Sequence, residues 1–212
     1  MSNQDTNPNK YSELRSTYKY YIDSYNVLYQ LKTENEGELN SIYKMIKTEL
    51  IDSKKYLPQN IIKDILYMIH YNNCYTKSYL TLAKLIYDYY HVKYIHGIRH
   101  ISKFIFYKEY GIKLDKSDDY EKINIAYYDI HSENTIYRAI MYNDKEKFIT
   151  FTESEEFNKN QILCCINYPL GSMPGYSLLE LCCYHGAVDC FKLLRTKFNS
   201  EITETCLIFS FL

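Results

Sequence analysis

Seven cysteines and six histidines are the side chains best suited to bind a metal or attack an electrophile. Cys164–Cys165, Cys182–Cys183, Cys190 and Cys206 gather toward the carboxy terminus, but no Cys-x-x-Cys occurs. Adjacent residues on a helix point about 100° apart, so a vicinal pair does not close on one tetrahedral ion. His96 and His100 have the four-residue spacing of two ligands on one helix face. They lack the glutamate that follows the first histidine in a zinc-protease motif, and no third ligand is evident. Gly97 further weakens a helix between them. A nucleophile at Cys182 or Cys183, with His185 as its base, has no carboxylate in the motif to orient the imidazole. Gly171-Ser-Met-Pro-Gly175 lacks the lysine and the preceding strand of a phosphate loop. No Gly-x-Ser-x-Gly or His-Glu-x-x-His occurs. These patterns predict a protein that is not an enzyme, with no catalytic residue, metal, cofactor or small-molecule substrate.

Charge gives a second kind of candidate. Between His91 and Lys116, the basic residues Lys93, Arg99, Lys103, Lys108, Lys113 and Lys116 face only Glu109 and Asp115, a local charge of +4. Tyr94, Phe104 and Phe106 interleave with them. The expected reading is a solvated helix face opposite an aromatic core stripe. The alternative is a patch for nucleic acid or an anionic membrane surface, with segment 91–116 as the adaptor. Over all 212 residues the net charge is −1, whereas proteins that hold nucleic acid by bulk electrostatics are usually strongly basic. Nucleic acid is therefore not the expected partner.

The elements that position these residues are helical. Leu14, Tyr18, Tyr21, Tyr25 and Leu28 form one apolar stripe at steps of three and four. Glu36 and Gly37 break it, and Leu39, Ile42, Tyr43, Ile46 and Leu50 start a second. Pro58 fits the first turn of a third helix carrying Ile61, Ile62, Ile65, Leu66 and Ile69. Asn72 and Asn73 mark a turn, and Thr76 suits the cap of a fourth helix bearing Leu80, Ala83, Leu85, Ile86 and Tyr90. Gly97 precedes a fifth with Ile98, Ile101, Ile105 and Phe106, which Gly111 ends in a left-handed conformation. Alternation is never sustained and no Asn-Gly or Asp-Gly turn occurs, so the fold class predicted is all-α. The division expected is a disordered tail over 1–10, a helical domain over 11–116 and a second region over 117–212. Its boundary lies in the charged run Lys116–Glu121, where Asp118 and Glu121 also fit a helix start.

The carboxy-terminal stretch Gly175-Tyr-Ser-Leu-Leu-Glu-Leu-Cys-Cys-Tyr-His-Gly186-Ala-Val-Asp-Cys-Phe-Lys-Leu-Leu194 resembles an ankyrin repeat. Ser177 falls on the family's helix-starting threonine, and Glu180 completes a capping box with it. Leu179 is the core anchor, Cys182 and Cys183 replace the alanine pair, and Gly186 is the turn glycine. A weaker copy spans Asn134–Phe148, with Ala139 on the first alanine, Asn143 for the glycine and Phe148 on the second helix. The copies are offset by 43 residues, against about 33 in the family, so extra residues are expected in 152–160 or 169–175. A third copy starts near Ser200 with Thr205, Cys206, Leu207, Ile208, Phe209 and Phe211, and the chain is expected to be a piece of a longer array. Together with Pro58–Ile65, Tyr71–Leu80, Leu82–Leu85 and Phe106–Leu114, the whole is similar to divergent ankyrin-repeat proteins of A/T-rich parasitic protists. Those carry an amino-terminal helical domain of unknown function. A viral ankyrin host-range factor is a further alternative.

The resemblance implies ankyrin-type helix-turn-helix repeats that begin an α-solenoid. It also implies a protein–protein interaction scaffold or adaptor with an unidentified protein partner. The positions that the family turns toward its binding wall are Arg138, Met141 and Tyr142 in one repeat, and Leu181, Tyr184 and His185 in the next. Tyrosine, methionine and arginine suit interface anchors; packing of Leu181 and Tyr184 on the neighbouring repeat is the equal alternative. Residues 1–10 show no secretory signal and no stretch approaches eighteen apolar residues. The cysteines then read as reduced thiols of an intracellular protein, cytoplasmic or nuclear. The 26 tyrosines against no tryptophan and four alanines follow an A/T-rich codon bias, which also accounts for cysteine where alanine is usual.

Overall fold

Apolar steps of three and four bury one stripe of a helix against its neighbours. The computed structural model of this chain is accordingly mostly helical, with almost no strand. It describes residues 8–116, 120, 133–163, 168–169 and 175–211. The chain forms two compact units, Met1–Asp118 and Asp119–Leu212.

The first unit holds α1 (Pro8–Thr17), α2 (Lys19–Tyr29), α3 (Glu36–Ile46), α4 (Pro58–Met68), α5 (Thr76–Tyr89) and α6 (His100–Tyr110). Pro58 occupies the first turn of α4, where its missing N–H costs nothing. Ile61, Ile62, Ile65 and Leu66 fall on one face of α4 and are buried against α5. Each such side chain contributes about 1.5–3 kcal/mol of hydrophobic stabilisation. Gly111 closes α6 at φ +68, and the Gly111 N–H donates to Tyr107 O at 2.7 Å.

Several polar groups of this core are matched across helices. The buried Tyr79 hydroxyl donates to Leu28 O at 2.7 Å and accepts from Asn72 Nδ2 at 3.2 Å. Asn72 Nδ2 also reaches Leu31 O at 2.7 Å, and Ser78 Oγ donates to Thr33 O at 2.7 Å. The chain leaving α2 is thereby fixed to the start of α5. Burial pushes the Tyr79 hydroxyl up to about 12.

Four local expectations are corrected. The stripe from Leu14 to Leu28 is broken at Tyr18, which leaves helical geometry (φ −99, ψ 14), so Leu14 and Tyr18 are exposed while Leu28 is buried. Glu36 and Gly37 open α3, because the Asn35 side chain accepts from Glu38 N at 3.1 Å and caps the helix there. Thr76 is the first residue of α5, and its hydroxyl donates to Asn73 O at 2.7 Å instead of capping. Pro8–Lys10 begin α1 inside the stretch expected as a tail, and residues 1–7 lie outside the described residues.

The second unit holds α7 (Ile136–Met141), α8 (Lys145–Thr152), α9 (Leu178–His185), α10 (Val188–Phe198) and α11 (Glu204–Phe209). Between α8 and α9 lies a two-stranded antiparallel pair, β1 (Ile162–Leu163) and β2 (Tyr176–Ser177), with Ile162 opposite Ser177. Gly175, at φ +122, enters β2 where a Cβ would stand 2.4 Å from Leu163 O, so no side chain fits. The helix start expected at Asp118–Glu121 lies outside the described residues.

Candidate functional site

The residues expected at a binding wall lie on α7, at its carboxy-terminal cap Tyr142 and on α9, and their setting follows from how the helices of this unit are capped. Ser177 Oγ accepts from Glu180 N at 3.3 Å while Glu180 Oε2 accepts from Ser177 N at 2.8 Å, a reciprocal capping box. The other oxygen, Glu180 Oε1, accepts from Thr203 Oγ1 at 2.6 Å. Thr203 is itself the cap of α11 and accepts from Cys206 N at 3.2 Å. One buried carboxylate thus links the starts of α9 and α11.

Asn143 has a comparable linking role in the preceding helix pair. It takes φ +50 in the turn between α7 and α8, a conformation asparagine tolerates. Its Oδ1 accepts from Asp189 N at 3.0 Å and Cys190 N at 3.4 Å, and its Nδ2 donates to Asp189 Oδ2 at 2.9 Å. The start of α10, where Ala187 offers no side-chain cap, is capped by the turn of the preceding pair. Gly186 makes the equivalent turn between α9 and α10 at φ +64. α7 packs on α9, α9 on α11, and α8 on α10.

This packing divides the six expected binding residues. Tyr142 is 51% exposed and has the Arg138 guanidinium 5.0 Å from its ring centroid. Arg138 and His185 are half-buried. Met141 at 4%, Leu181 at 1% and Tyr184 at 8% exposure are buried, so Met141 is corrected from wall to packing residue and Leu181 and Tyr184 take the packing alternative. Tyr184 lies edge-on to Tyr168 at 4.8 Å and to Phe209 at 5.4 Å. Tyr168 in turn hydrogen-bonds His185 Nε2 at 2.9 Å. Leu207 and Ile208, by contrast, are exposed on α11.

The cysteines are free thiols at all five described positions, and Cys164–Cys165 lie outside the described residues. Burial pushes the Cys190 thiol up to about 11 and Cys183 up to about 12, and it raises Cys182 further. A protonated thiol is a poor nucleophile and a poor metal ligand. Among the described residues no three His, Cys, Asp or Glu side chains converge on a metal position. His96 lies before α6 and only His100 is in the helix, so the two histidines share no helix face despite their four-residue spacing. Glycine at 97, with φ +76, keeps that stretch out of the helix.

Two arrangements in the first unit carried no sequence signal. Residues Lys47–Asp52 continue α3 as a π-helical turn, which brings side chains five apart into register. Lys47 there pairs with Asp52 and lies 4.5 Å over the Tyr89 ring, while the Tyr90 hydroxyl donates to Asp52. Lys47 first, then Tyr90, holds the Asp52 carboxyl below the usual carboxylate range. Ser102 Oγ donates to Leu66 O at 3.3 Å and lies 3.3 Å from His70 Nε2. Both side chains are buried, so this pair joins α6 to α4 and has no surface for a substrate.

Comparison of the chain with protein-family models, with curated proteins and with solved structures gives no match. Among the described residues no helix is long and apolar enough to cross a membrane.

Proposed function

We propose that the chain is a non-catalytic protein–protein interaction module whose second unit works as an ankyrin-type repeat scaffold. The observation that carries this reading is the pair of helix–turn–helix units α7/α8 and α9/α10. Each turns at a left-handed residue, Asn143 or Gly186, and like helices pack on like. Units of this kind bury their apolar faces on one another and leave the outer face of the first helices for a partner. The surface left there offers Tyr142, Arg138 and His185, types that anchor interfaces when a partner desolvates them. The raised thiols support the non-catalytic side of the reading. The five cysteines among the described residues, all free thiols, fit a reducing, intracellular compartment.

The test compares the full chain with its Arg138→Glu/Tyr142→Ala variant as immobilised bait. A protein retained by the first and lost from the second is expected, with the circular dichroism and thermal midpoint of the bait unchanged. Identical retention by both, or no retained protein, contradicts the reading.

A further inference from the structure

We propose that the first unit carries a surface for single-stranded nucleic acid, built from the chain on either side of α6. The surface lies in the first unit and stands independently of the interaction proposed for the second.

Charge is the first observation. Residues 1–118 hold seventeen Lys and Arg against thirteen Asp and Glu, and residues 119–212 hold eight against thirteen. The whole-chain charge of −1 therefore conceals +4 in the first unit and −5 in the second. Residues 91–116 alone supply +4, so the rest of the first unit is balanced. The excess is a local feature, where a solvated helix face would spread it.

Geometry gathers half of the six basic residues of that segment. Ile95 N donates to Leu114 O at 3.0 Å, and both side chains are buried, so the stretches before and after α6 lie side by side. Lys93, Tyr94 and His96 from one stretch and Lys113 and Lys116 from the other are exposed beside this tie. Lys63 joins them from α4, with its Nζ 3.0 Å from where a Cβ on Gly97 would stand. The nearby carboxylate, Asp115, is already engaged by His96 Nδ1 at 3.7 Å and Lys103 Nζ at 4.0 Å.

Rings accompany the cations. Lys116 Nζ lies 4.9 Å from the Tyr94 ring centroid, and Lys113 Nζ lies 6.0 Å from that of Tyr107. A cation beside an aromatic face offers one group to a phosphate and one to a base, which is how sequence-tolerant single-strand surfaces are built. The apolar residues of the same stretch, Val92, Ile95, Ile101 and Leu114, are buried. Nothing apolar among them stands out for insertion into a bilayer, so the chemistry favours nucleic acid over a membrane surface.

The test is fluorescence anisotropy of a labelled oligouridine of about twenty nucleotides with the full chain. Binding is expected at about 50 mM salt, weakening about twenty-fold by about 200 mM, as for about three phosphate contacts. Lys113→Glu/Lys116→Glu is expected to weaken it at least about ten-fold and flatten the salt dependence. Tyr94→Ala should weaken it by about ten-fold with the salt slope intact, while Tyr94→Phe retains binding. Circular dichroism should show every variant folded. The proposal is overturned by absence of binding at the lower salt, or by charge reversal without effect. Indifference to Tyr94→Ala also overturns it, and so does tighter binding of the same surface to phosphatidylserine vesicles than to the oligonucleotide.

Discussion

The first unit is held by one dense apolar core, whereas in the second polar side chains also tie the buried apolar faces of one helix pair to the next. In the first, Leu28, Ile46, Ile62, Ile65, Leu82 and Phe106 belong to a single buried cluster drawn from α2 through α6. In the second, polar caps cross between neighbours: Asn143 caps α10, and Glu180 joins the starts of α9 and α11. Removing a core side chain should loosen the whole first unit, because close-packed neighbours share the loss. Removing a cap should loosen chiefly the helix start whose N–H groups or hydroxyl it holds, because each of these bonds is made to one neighbouring helix.

That difference can be broken by substitution. Ile65→Ala should cost about 4 kcal/mol, the sum of lost transfer energy and a cavity, and accelerate hydrogen exchange throughout α2–α6. Glu180→Ala leaves the Ser177 N–H and the Thr203 hydroxyl without their acceptor and should cost about 2 kcal/mol. Chemical denaturation gives both values, and segment-resolved exchange should confine the second change to α9–α11. Tyr79→Phe, which removes the hydroxyl that bonds Leu28 O, should cost about 1 kcal/mol in the same titration.

Alkaline pH sharpens the contrast between the units with the smallest effect near neutrality. Three thiols of the second unit, Cys182, Cys183 and Cys190, are raised by burial. An unfolded thiol releases its proton near about 8.5, while the folded Cys190 keeps it to about 11. Unfolding therefore releases protons, and stability falls as pH rises through that window. In the first unit Cys74 is the one thiol raised in this way, while Tyr79 and the likewise raised Tyr25, Tyr43, Tyr56, Tyr71, Tyr90 and Tyr110 add losses that begin only near the tyrosine value of about 10. Denaturation at pH 8 and at about pH 9.5 should weaken the second unit more than the first. Cys182→Ala should reduce the difference.

Much of this organisation was legible in the residues, for physical reasons that differ by position. Pro58, Gly111, Ser177 with Glu180, and Gly186 restrict backbone or satisfy helix ends locally, so their types announce their roles. Asn143 was readable as a turn, but its second task, capping α10 46 residues later, depends on packing that no local pattern encodes. The same limit hid the burial of Met141 and left Leu181 and Tyr184 open between wall and packing. Their position on α7 and α9 fits the wall of a repeat, yet the neighbouring helices cover them. Tyr18 continues an apolar stripe while the backbone leaves the helix there, and the π-turn at Lys47–Asp52 has an ordinary helical composition. His96 and His100 had helical spacing without a helix beneath both.

The most direct measurement is residue-resolved amide exchange on Asn143→Ala in the full chain. If neighbour capping holds the second unit together, the amides of Asp189 and Cys190 and then the rest of α10 lose protection, while the first unit is unchanged. Unchanged protection at Asp189 and Cys190, or an equal loss across both units, would contradict it.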